Sequence, residues 1–288
     1  MKKEFNLLKS LILLLILLDV VIWYFILFPK SLSDFELYFL KVGQGDASMA
    51  LLTDENHTGF IKVLIDGGPA NGNLALNLEK ILGSDRYIDL VFISHPQTDH
   101  FGGLIEIFKN YRIGGVFYNG EISSDSSWKA LESLINIKKI PKIAILRDEM
   151  VNYGFNTIKA LNSANFGPNT NNSALVLLLN SNGIKTLFTG DIDAATEVLI
   201  SKSEDIGADI LKVSHHGSKY SSDLDFLKKV NPKVSVIEVG KNSYGHPAKE
   251  VLDKLNLISS KIFNTYDQGL IKIIREGNDL KVFSYPNP

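Results

Sequence analysis

Short apolar runs separated by polar turns follow one another along most of this chain, and they predict an α/β protein. Runs of β-branched and aromatic residues bounded by Gly, Asn, Asp or Pro predict strands, whereas apolar positions three to four residues apart predict helices. The predicted strands cover residues 35–42, 47–53, 60–65, 88–93, 115–118, 142–146, 173–179, 185–189, 209–213, 234–239, 261–265, 269–274 and 280–284. The predicted helices cover residues 74–82, 104–109, 127–135, 194–201, 224–230 and 248–255. This order of elements predicts a layered α/β fold in two halves.

The N-terminal segment differs because it is almost entirely apolar. Every residue from Leu11 to Phe28 except Asp19 is apolar, and a helix needs about 20 such residues to cross a bilayer. Three lysines precede this run and one follows it closely, which places the N-terminus in the cytoplasm. No small-x-small cleavage site precedes Pro29, which favours an uncleaved anchor over a signal peptide. We therefore predict a single-pass protein of the cytoplasmic membrane, with residues 1–33 as membrane anchor and linker and residues 34–288 as an extracytoplasmic domain.

Composition narrows the chemistry only in part. The chain has 288 residues, a formal net charge of −2 and no cysteine, so disulfides, thiolate catalysis and cysteine-based zinc sites are excluded. The near-neutral charge says little about nucleic acid. Residues 208–262 hold nine lysines against six acidic residues, which suits either phosphate binding or an ordinary solvated surface.

The candidate chemistry lies where predicted strands end. The run Ser94-His95-Pro96-Gln97-Thr98-Asp99-His100-Phe101-Gly102-Gly103 follows a buried strand and brings two imidazoles and a carboxylate together. Five of the six histidines occupy strand-to-helix junctions, as do Asp99 and Asp191; they are His95, His100, His215, His216 and His246. In layered α/β folds such loops share one edge of the sheets, where sites form. We therefore predict a divalent-metal site, since His and Asp are good ligands for Zn and Mn. His57 lies in a polar turn and is predicted to be an ordinary surface residue.

These motifs, in this order, resemble the metallo-β-lactamase superfamily and, within it, the metallo-hydrolase (nuclease) domain of ComEC-type competence DNA-uptake proteins. The resemblance covers roughly residues 34–285. It rests on Val42-Gly43-Gln44-Gly45-Asp46-Ala47, Leu64-Ile65-Asp66-Gly67-Gly68, residues 94–103, Phe188-Thr189-Gly190-Asp191, His215-His216-Gly217-Ser218 and Tyr244-Gly245-His246-Pro247. It implies a four-layer αββα sandwich with the metal centre at the sheet edges. The channel region of such proteins is missing from this chain, so a separate DNA-uptake channel protein is an implied partner.

The resemblance also implies a ligand set. Asp99, His100 and His215 would hold one metal ion, and Asp191 would bridge to a second ion held by His95. Gln97 stands where the superfamily usually has a histidine and the competence branch an aspartate. A third histidine of the superfamily is absent, and Asn169, Asn171 and Asn172 lie in its neighbourhood. The first-metal site would then be rich in oxygen, which favours Mn or Mg over Zn. One or two divalent ions, Zn or Mn, are expected.

Most of the remaining polar residues have more than one interpretation. His216 follows His215 on a segment taken as extended, so it should point elsewhere and either donate a proton, support the ligands or stay structural. His246 is either a ligand or substrate contact, or a residue of helix entry. Ser218 and Lys219 suit a phosphate but also an ordinary turn. Asp46 and Asp66 are predicted to brace loops.

Three functions fit this pattern. The first is a membrane-anchored, metal-dependent phosphodiesterase or nuclease acting on DNA outside the cytoplasmic membrane, with Asp99, Asp191, His216 and His246 as catalytic residues. The second is a small-molecule ester or lactone hydrolase on the same fold. The third is a non-catalytic metal-binding module, which the substitution at Gln97 would mark.

Overall fold

The computed structural model describes residues 2–27, 35–53, 59–162, 171–277 and 279–286. The chain divides into two compact units, Met1–Ser33 and Asp34–Pro288. His57 and Asn169, which the sequence analysis singled out, lie outside the described residues.

The first unit contains helix α1 (Lys2–Leu27). Within the part of the chain that the structure describes, no helix combines the length and the hydropathy that crossing a membrane requires. The membrane-spanning helix predicted from the sequence is therefore not found among these residues.

The second unit is built from two sheets. Its strands are β1 (Phe35–Phe39), β2 (Ser48–Thr53), β3 (Phe60–Ile65), β4 (Tyr87–Ile93), β5 (Arg112–Tyr118), β6 (Lys142–Ala144), β7 (Met150–Tyr153), β8 (Asn156–Ala160), β9 (Leu177–Ser181), β10 (Ile184–Phe188), β11 (Ile210–Lys212), β12 (Val234–Ile237), β13 (Lys261–Asn264), β14 (Leu270–Glu276) and β15 (Asp279–Tyr285). Its helices are α2 (Leu74–Leu82), α3 (Thr98–Phe101), α4 (Leu104–Asn110), α5 (Ser126–Ile137), α6 (Ala194–Ser203), α7 (Leu224–Val230), α8 (Lys249–Leu257) and α9 (Thr265–Gln268).

Over the described residues, the first sheet has the order β15-β14-β1-β2-β3-β4-β5-β6 and the second the order β13-β12-β11-β10-β9-β8-β7. The central strands β3, β4 and β5 are parallel, and so are β10, β11, β12 and β13. The carboxyl ends of parallel neighbours lie at one edge of a sheet, so the loops that follow β3, β4, β10, β11 and β12 can contribute to a common site.

Three apolar clusters lie between these layers. One joins the first sheet to α2, α4 and α5, and a second lies between the two sheets. The third joins the second sheet to α6, α7 and α8. Because side chains alternate along a strand, β1 contributes to two of these clusters. Phe35, Leu37 and Phe39 face the other sheet, whereas Tyr38 faces the helices. The layers are thus helix, sheet, sheet and helix, as the resemblance implied.

Most predicted elements form, and the differences are local. The hairpin predicted around Asn180-Ser181-Asn182-Gly183 is confirmed, with β9 and β10 antiparallel and both Asn182 and Gly183 in the left-handed conformation that a tight turn requires. The first predicted strand ends at Phe39, three residues early, and the strand predicted from residue 173 begins at Leu177. The hairpin of β7 and β8 was not predicted, because its short strands are mainly polar or exposed.

Candidate metal centre

Asp66, the residue that follows β3, fixes the loop after β4. Its carboxylate accepts hydrogen bonds from the backbone N–H and the hydroxyl of Ser94, both at 2.7 Å, and lies 2.9 Å from His100 Nδ1. The loop also packs backbone to backbone, since a Cβ on Gly103 would lie 2.2 Å from the carbonyl oxygen of Gly67. Asp66 therefore has the bracing role expected of it. It fixes the His100 ring so that Nε2 points away from the loop.

Four side chains from three loops converge next to Asp66. Asp99, His100, Asp191 and His216 each place one ligand atom within 4.8 Å of the others. The Nε2 atoms of His100 and His216 lie 3.3 and 3.4 Å from Asp191 Oδ2, and His216 Nε2 lies 3.6 Å from Asp99 Oδ2. We call these four residues the metal group. Asp191, in the loop after β10, lies close to both imidazoles of the group.

The two adjacent histidines are placed differently from the prediction. After β11 the chain enters a 3₁₀ turn (Ser214–Gly217), in which His215 and His216 both have positive φ, at 51° and 53°. The premise of an extended segment is therefore wrong. His216 is buried, its Nδ1 lies 2.8 Å from the carbonyl oxygen of Glu238, and its Nε2 is directed at the metal group. A backbone carbonyl on one ring nitrogen fixes the tautomer and leaves the other nitrogen for a metal.

His215 lies at the rim of the group. Its side chain is 27% exposed, its Nε2 is 3.9 Å from Asp191 Oδ2, and it is outside the set of mutually close ligand atoms. Burial lowers the pKa of His215, so the ring is neutral at pH 7. The geometry thus exchanges the roles predicted for the two histidines: His216 has the ligand geometry, and His215 is the half-buried imidazole beside it.

His95 and Gln97 lie on the same loop with different partners. His95 is fully buried, its ring centroid is 4.2 Å from that of His100, and its Nε2 makes no hydrogen bond within the described chain. The Gln97 amide nitrogen donates to Asn171 Oδ1. Asn172 donates to Asp193 Oδ2 at 3.0 Å. Asn171 is thus tied to the loop after β4, and Asn172 to the residue before α6.

A buried lysine, which the sequence analysis missed, completes the centre. Lys212 ends β11, and its Nζ pairs with Asp46, donates to the Gly190 carbonyl at 3.0 Å and lies 3.8 Å from Asp191 Oδ1. Glu238, also missed, is buried at the end of β12 and accepts from the Ala47 N–H at 3.0 Å and from the Ser48 hydroxyl. The available signal was a charged residue at the end of each of two mainly apolar strands.

The electrostatics of the metal group favour bound positive charge. Burial opposes the imidazolium form of His216, but the carboxylates of Asp191 and Asp46 outweigh burial and raise its pKa to about 10. Burial likewise opposes ionisation of Asp99, yet His216 and His100 lower its pKa to about 2. For His95, burial and the neighbouring charge of His100 lower the pKa to about 3. The same carboxylates that hold protons on two imidazoles would hold a cation in their place.

The residues present fit a divalent metal ion. Buried nitrogen atoms of His95, His100 and His216, and Oδ1 of Asp191, lack a hydrogen-bond partner among the described residues, although buried polar groups are normally satisfied. Neutral imidazole and carboxylate are the ligands that Zn and Mn accept. The second close set, Asp46, Asp66 and His100, shares one histidine with the metal group, and its Asp66 already serves Ser94.

A cleft of about 480 Å³ opens onto the metal group. It is lined by Gln44, Gln97, Thr98, Asp99, Asp191, His215, His216, Tyr244 and His246. His246 lines the cleft, and its role as a substrate contact stays a prediction. Ser218, also predicted as a substrate contact, does not line the cleft, because it is buried and its hydroxyl accepts the N–H of Tyr220 at 3.3 Å. Lys219 is exposed, and its ammonium lies over the Tyr220 ring, outside the residues that line the cleft.

Two sheets flanked by helices, with a histidine and aspartate cluster at their common edge, define a metal-dependent hydrolase fold. Residues 58–240 match the metallo-beta-lactamase superfamily, and the chain belongs to that superfamily.

Three of its similar proteins show the range of the likeness. "ComE operon protein 3" of Bacillus subtilis is 27% identical over 92% of this chain and 36% of its own length. "Competence protein ComA" of Neisseria gonorrhoeae is 25% identical over 65% of this chain and 25% of its own length. The metallo-beta-lactamase fold protein YhfI of Bacillus subtilis superposes with a TM-score of 0.56 at 12% identity, over 83% of this chain and all of that one, which shows the fold alone. This chain thus spans about a third of the length of the first relative.

Proposed function

We propose that this chain is a divalent-metal-dependent phosphodiesterase that cleaves DNA. The observation that carries the proposal is the metal group at the base of an open cleft, with imidazole nitrogens and carboxylate oxygens aimed at one point. The similarity to a protein named for competence supports DNA over other phosphodiesters. A bound divalent ion would supply Lewis acidity and lower the pKa of water to about 7.

The protein residues then have distinct roles. Asp99, His100, Asp191 and His216 would hold the metal, with His95 beside them for a second ion. Their geometry is set in advance, because Asp66 fixes His100 and the Glu238 carbonyl fixes His216. Preorganised ligands of this kind need no rearrangement when charge develops on the phosphate.

His215, which lines the cleft, is the residue to which we assign proton transfer. His215 lies 3.9 Å from Asp191 Oδ2 and faces the cleft, and its ring is neutral near pH 7 because burial lowers its pKa. In this proposal its Nε2 accepts a proton from the attacking water and then donates it to the leaving oxygen. Lys241 is exposed at the start of the loop that carries His246, where it can attract the phosphate backbone of a longer strand.

The test uses the full chain with Mn²⁺ or Zn²⁺ and labelled single-stranded and duplex DNA. We expect cleavage that EDTA abolishes and that an Asp191→Ala variant loses together with bound metal. Asp253→Ala removes an exposed carboxylate that pairs only with Lys249 in the described chain, and serves as the matched control with unchanged cleavage. Turnover of an ester or lactone without DNA cleavage would replace the proposal by small-molecule hydrolysis. Metal binding without turnover would replace it by a non-catalytic module.

Membrane attachment is a separate part of the proposal and rests on the sequence of residues 11–28. We propose that this segment anchors the chain in the cytoplasmic membrane, with the hydrolase domain outside and a DNA-uptake channel protein as partner. Protease added to spheroplasts should digest the domain if it lies outside. Resistance to protease, or recovery of the chain in the soluble fraction, would refute the attachment or its orientation.

A further inference from the structure

One wall of the cleft is a loop, residues 240–247, that is held rigidly by a single side chain. The Asn242 carboxamide oxygen accepts the N–H groups of Tyr244 and His246, both at 3.0 Å. Its nitrogen donates to the carbonyl oxygens of Gly240 at 2.9 Å and His246 at 2.8 Å. Four hydrogen bonds from one residue leave this loop little conformational freedom.

The same loop is tied to both sheets at its ends. The Gly240 N–H donates to Gln44 Oε1 at 3.2 Å, and a Cβ on Gly240 would lie 2.3 Å from the carbonyl carbon of Gly43. At the other end, the N–H of Ala248 donates to the Gly217 carbonyl at 2.8 Å, next to the histidine turn. The loop therefore keeps a fixed position relative to the metal group.

This rigid loop presents a bare aromatic ring. Tyr244 is 74% exposed and lines the cleft. An exposed tyrosine on a flexible loop would say little, because isolated apolar side chains on a surface are common. Tyr244 instead lies on a loop that four hydrogen bonds of Asn242 fix, and most of its ring stays exposed in a polar cleft with His246 at one side, which points to a ligand.

Tyr244 ends a row of rings that starts at the metal group. The centroids of His216 and His215 are 6.2 Å apart, those of His215 and His246 are 5.7 Å apart, and those of His246 and Tyr244 are 5.7 Å apart. The last pair is tilted by 34°, closer to stacked than to perpendicular. The first two pairs are nearly perpendicular, at 70° and 75°, so the ring face offered to a ligand lies at the far end of the row, at Tyr244 with His246 beside it.

We propose that Tyr244, backed by His246, is a stacking platform for an unpaired base next to the scissile phosphate, and that the chain therefore prefers single-stranded over duplex DNA. This inference rests on the proposed function and deepens it. Base–aromatic stacking accepts any base because every base has a π-face. In a duplex both faces of each base are already covered by its neighbours, so the platform contributes there only after the base has been unstacked.

The test compares Tyr244→Ala and Tyr244→Phe with Tyr153→Ala, which removes a tyrosine that is 51% exposed on the edge strand β7. On single-stranded DNA, Tyr244→Ala should raise KM about tenfold, equivalent to about 1.4 kcal/mol, and change KM for duplex much less. Tyr244→Phe keeps the ring and should have the wild-type KM for single-stranded DNA. Tyr153→Ala should match the wild type.

A binding assay separates this inference from the proposed function. A phosphorothioate single strand that carries one 2-aminopurine resists hydrolysis, and its fluorescence should be quenched on binding to the wild type and to Tyr244→Phe but not to Tyr244→Ala. An equal rise in KM for single-stranded and duplex DNA in Tyr244→Ala would refute the stacking role of Tyr244. Quenching that survives in Tyr244→Ala would refute it as well. Neither result would count against DNA cleavage itself. A wild type that binds and quenches but never cleaves would instead refute the proposed function alone.

Discussion

The Lys212→Met substitution tests whether one buried ammonium compensates the carboxylates beneath the metal group. Lys212 is 2% exposed, and its Nζ contacts Asp46 and lies near Asp191, both of which are also buried. Burial favours the neutral amine, but Asp46 and Asp191 outweigh it and raise the pKa of Lys212 above its usual value. The lysine is therefore charged in the folded protein. Methionine has a similar length and fills the space without the charge.

The expected loss of stability is large because the substitution leaves the buried carboxylates without their lysine partner. Removing one member of a buried ion pair costs about 3–5 kcal/mol. For a domain of this size, each kcal/mol lowers Tm by about 2–4 °C, so the metal-free variant should melt roughly 6–20 °C below the wild type. The matched control is Lys249→Met. That lysine is exposed and pairs with Asp253 at an i,i+4 spacing, a surface contact that contributes little to stability.

The assay is urea unfolding of the full chain, first in EDTA and then with added Mn²⁺. Manganese should raise the free energy of unfolding more in Lys212→Met than in the wild type, because a dication supplies the positive charge that the substitution removes and meets no buried ammonium. A metal-free variant as stable as the wild type would refute the compensation argument. Equal stabilisation by Mn²⁺ in both proteins would show that Lys212 and the metal do not share the same carboxylates.

Two further predictions concern the histidine turn. His216→Ala should lose bound metal in elemental analysis, whereas His215→Ala should retain metal and lose kcat; retained metal in His216→Ala would reverse the ligand assignment. Burial raises the pKa of Glu197, which accepts from the Ser214 hydroxyl, to about 7 from 4.5. Its protonated form stabilises the fold fully below about pH 4.5, and this contribution is lost as pH rises through 7. Between pH 5 and pH 8 the wild type should therefore lose roughly 2–3 kcal/mol that Glu197→Gln does not lose, measured by urea unfolding. A parallel pH dependence in both proteins would contradict the assignment to Glu197.

The sequence was most informative where a pattern is local. Strand β4 and the loop after it follow from an apolar run that ends in histidines, an aspartate and two glycines. The turn at Asn182 and Gly183 follows from residue types that tolerate positive φ. Such features depend on a few neighbouring residues, so the sequence alone specifies them. The convergence of Asp99, His100 and Asp191 could also be predicted, because parallel strands deliver their carboxyl ends to one edge.

The exchange of His215 and His216 could not be predicted in the same way. Their directions depend on left-handed backbone conformations at two consecutive non-glycine residues, which L side chains seldom adopt. The turn is held by tertiary contacts: Glu197 on α6 accepts the Ser214 hydroxyl at 2.5 Å and the N–H groups of Ser222 and Asp223. Alternation along a strand does not reveal such contacts, because they join residues that are distant in the sequence.

The buried charges also explain why the metal group lies at the seam of the two sheets. Asp46 belongs to the turn between β1 and β2 of the first sheet, yet it pairs with Lys212 of the second sheet and lies 3.1 Å from His216 Nδ1. In the opposite direction, Glu238 of the second sheet accepts the N–H of Ala47 in that turn. Isolated buried charges are costly. Without metal, Lys212 and the protonated rings of His100 and His216 offset the buried carboxylates of Asp46 and Asp191. A divalent ion at this seam would take the place of the protons on the two rings. The geometry of the ligands is therefore coupled to the packing of one sheet on the other.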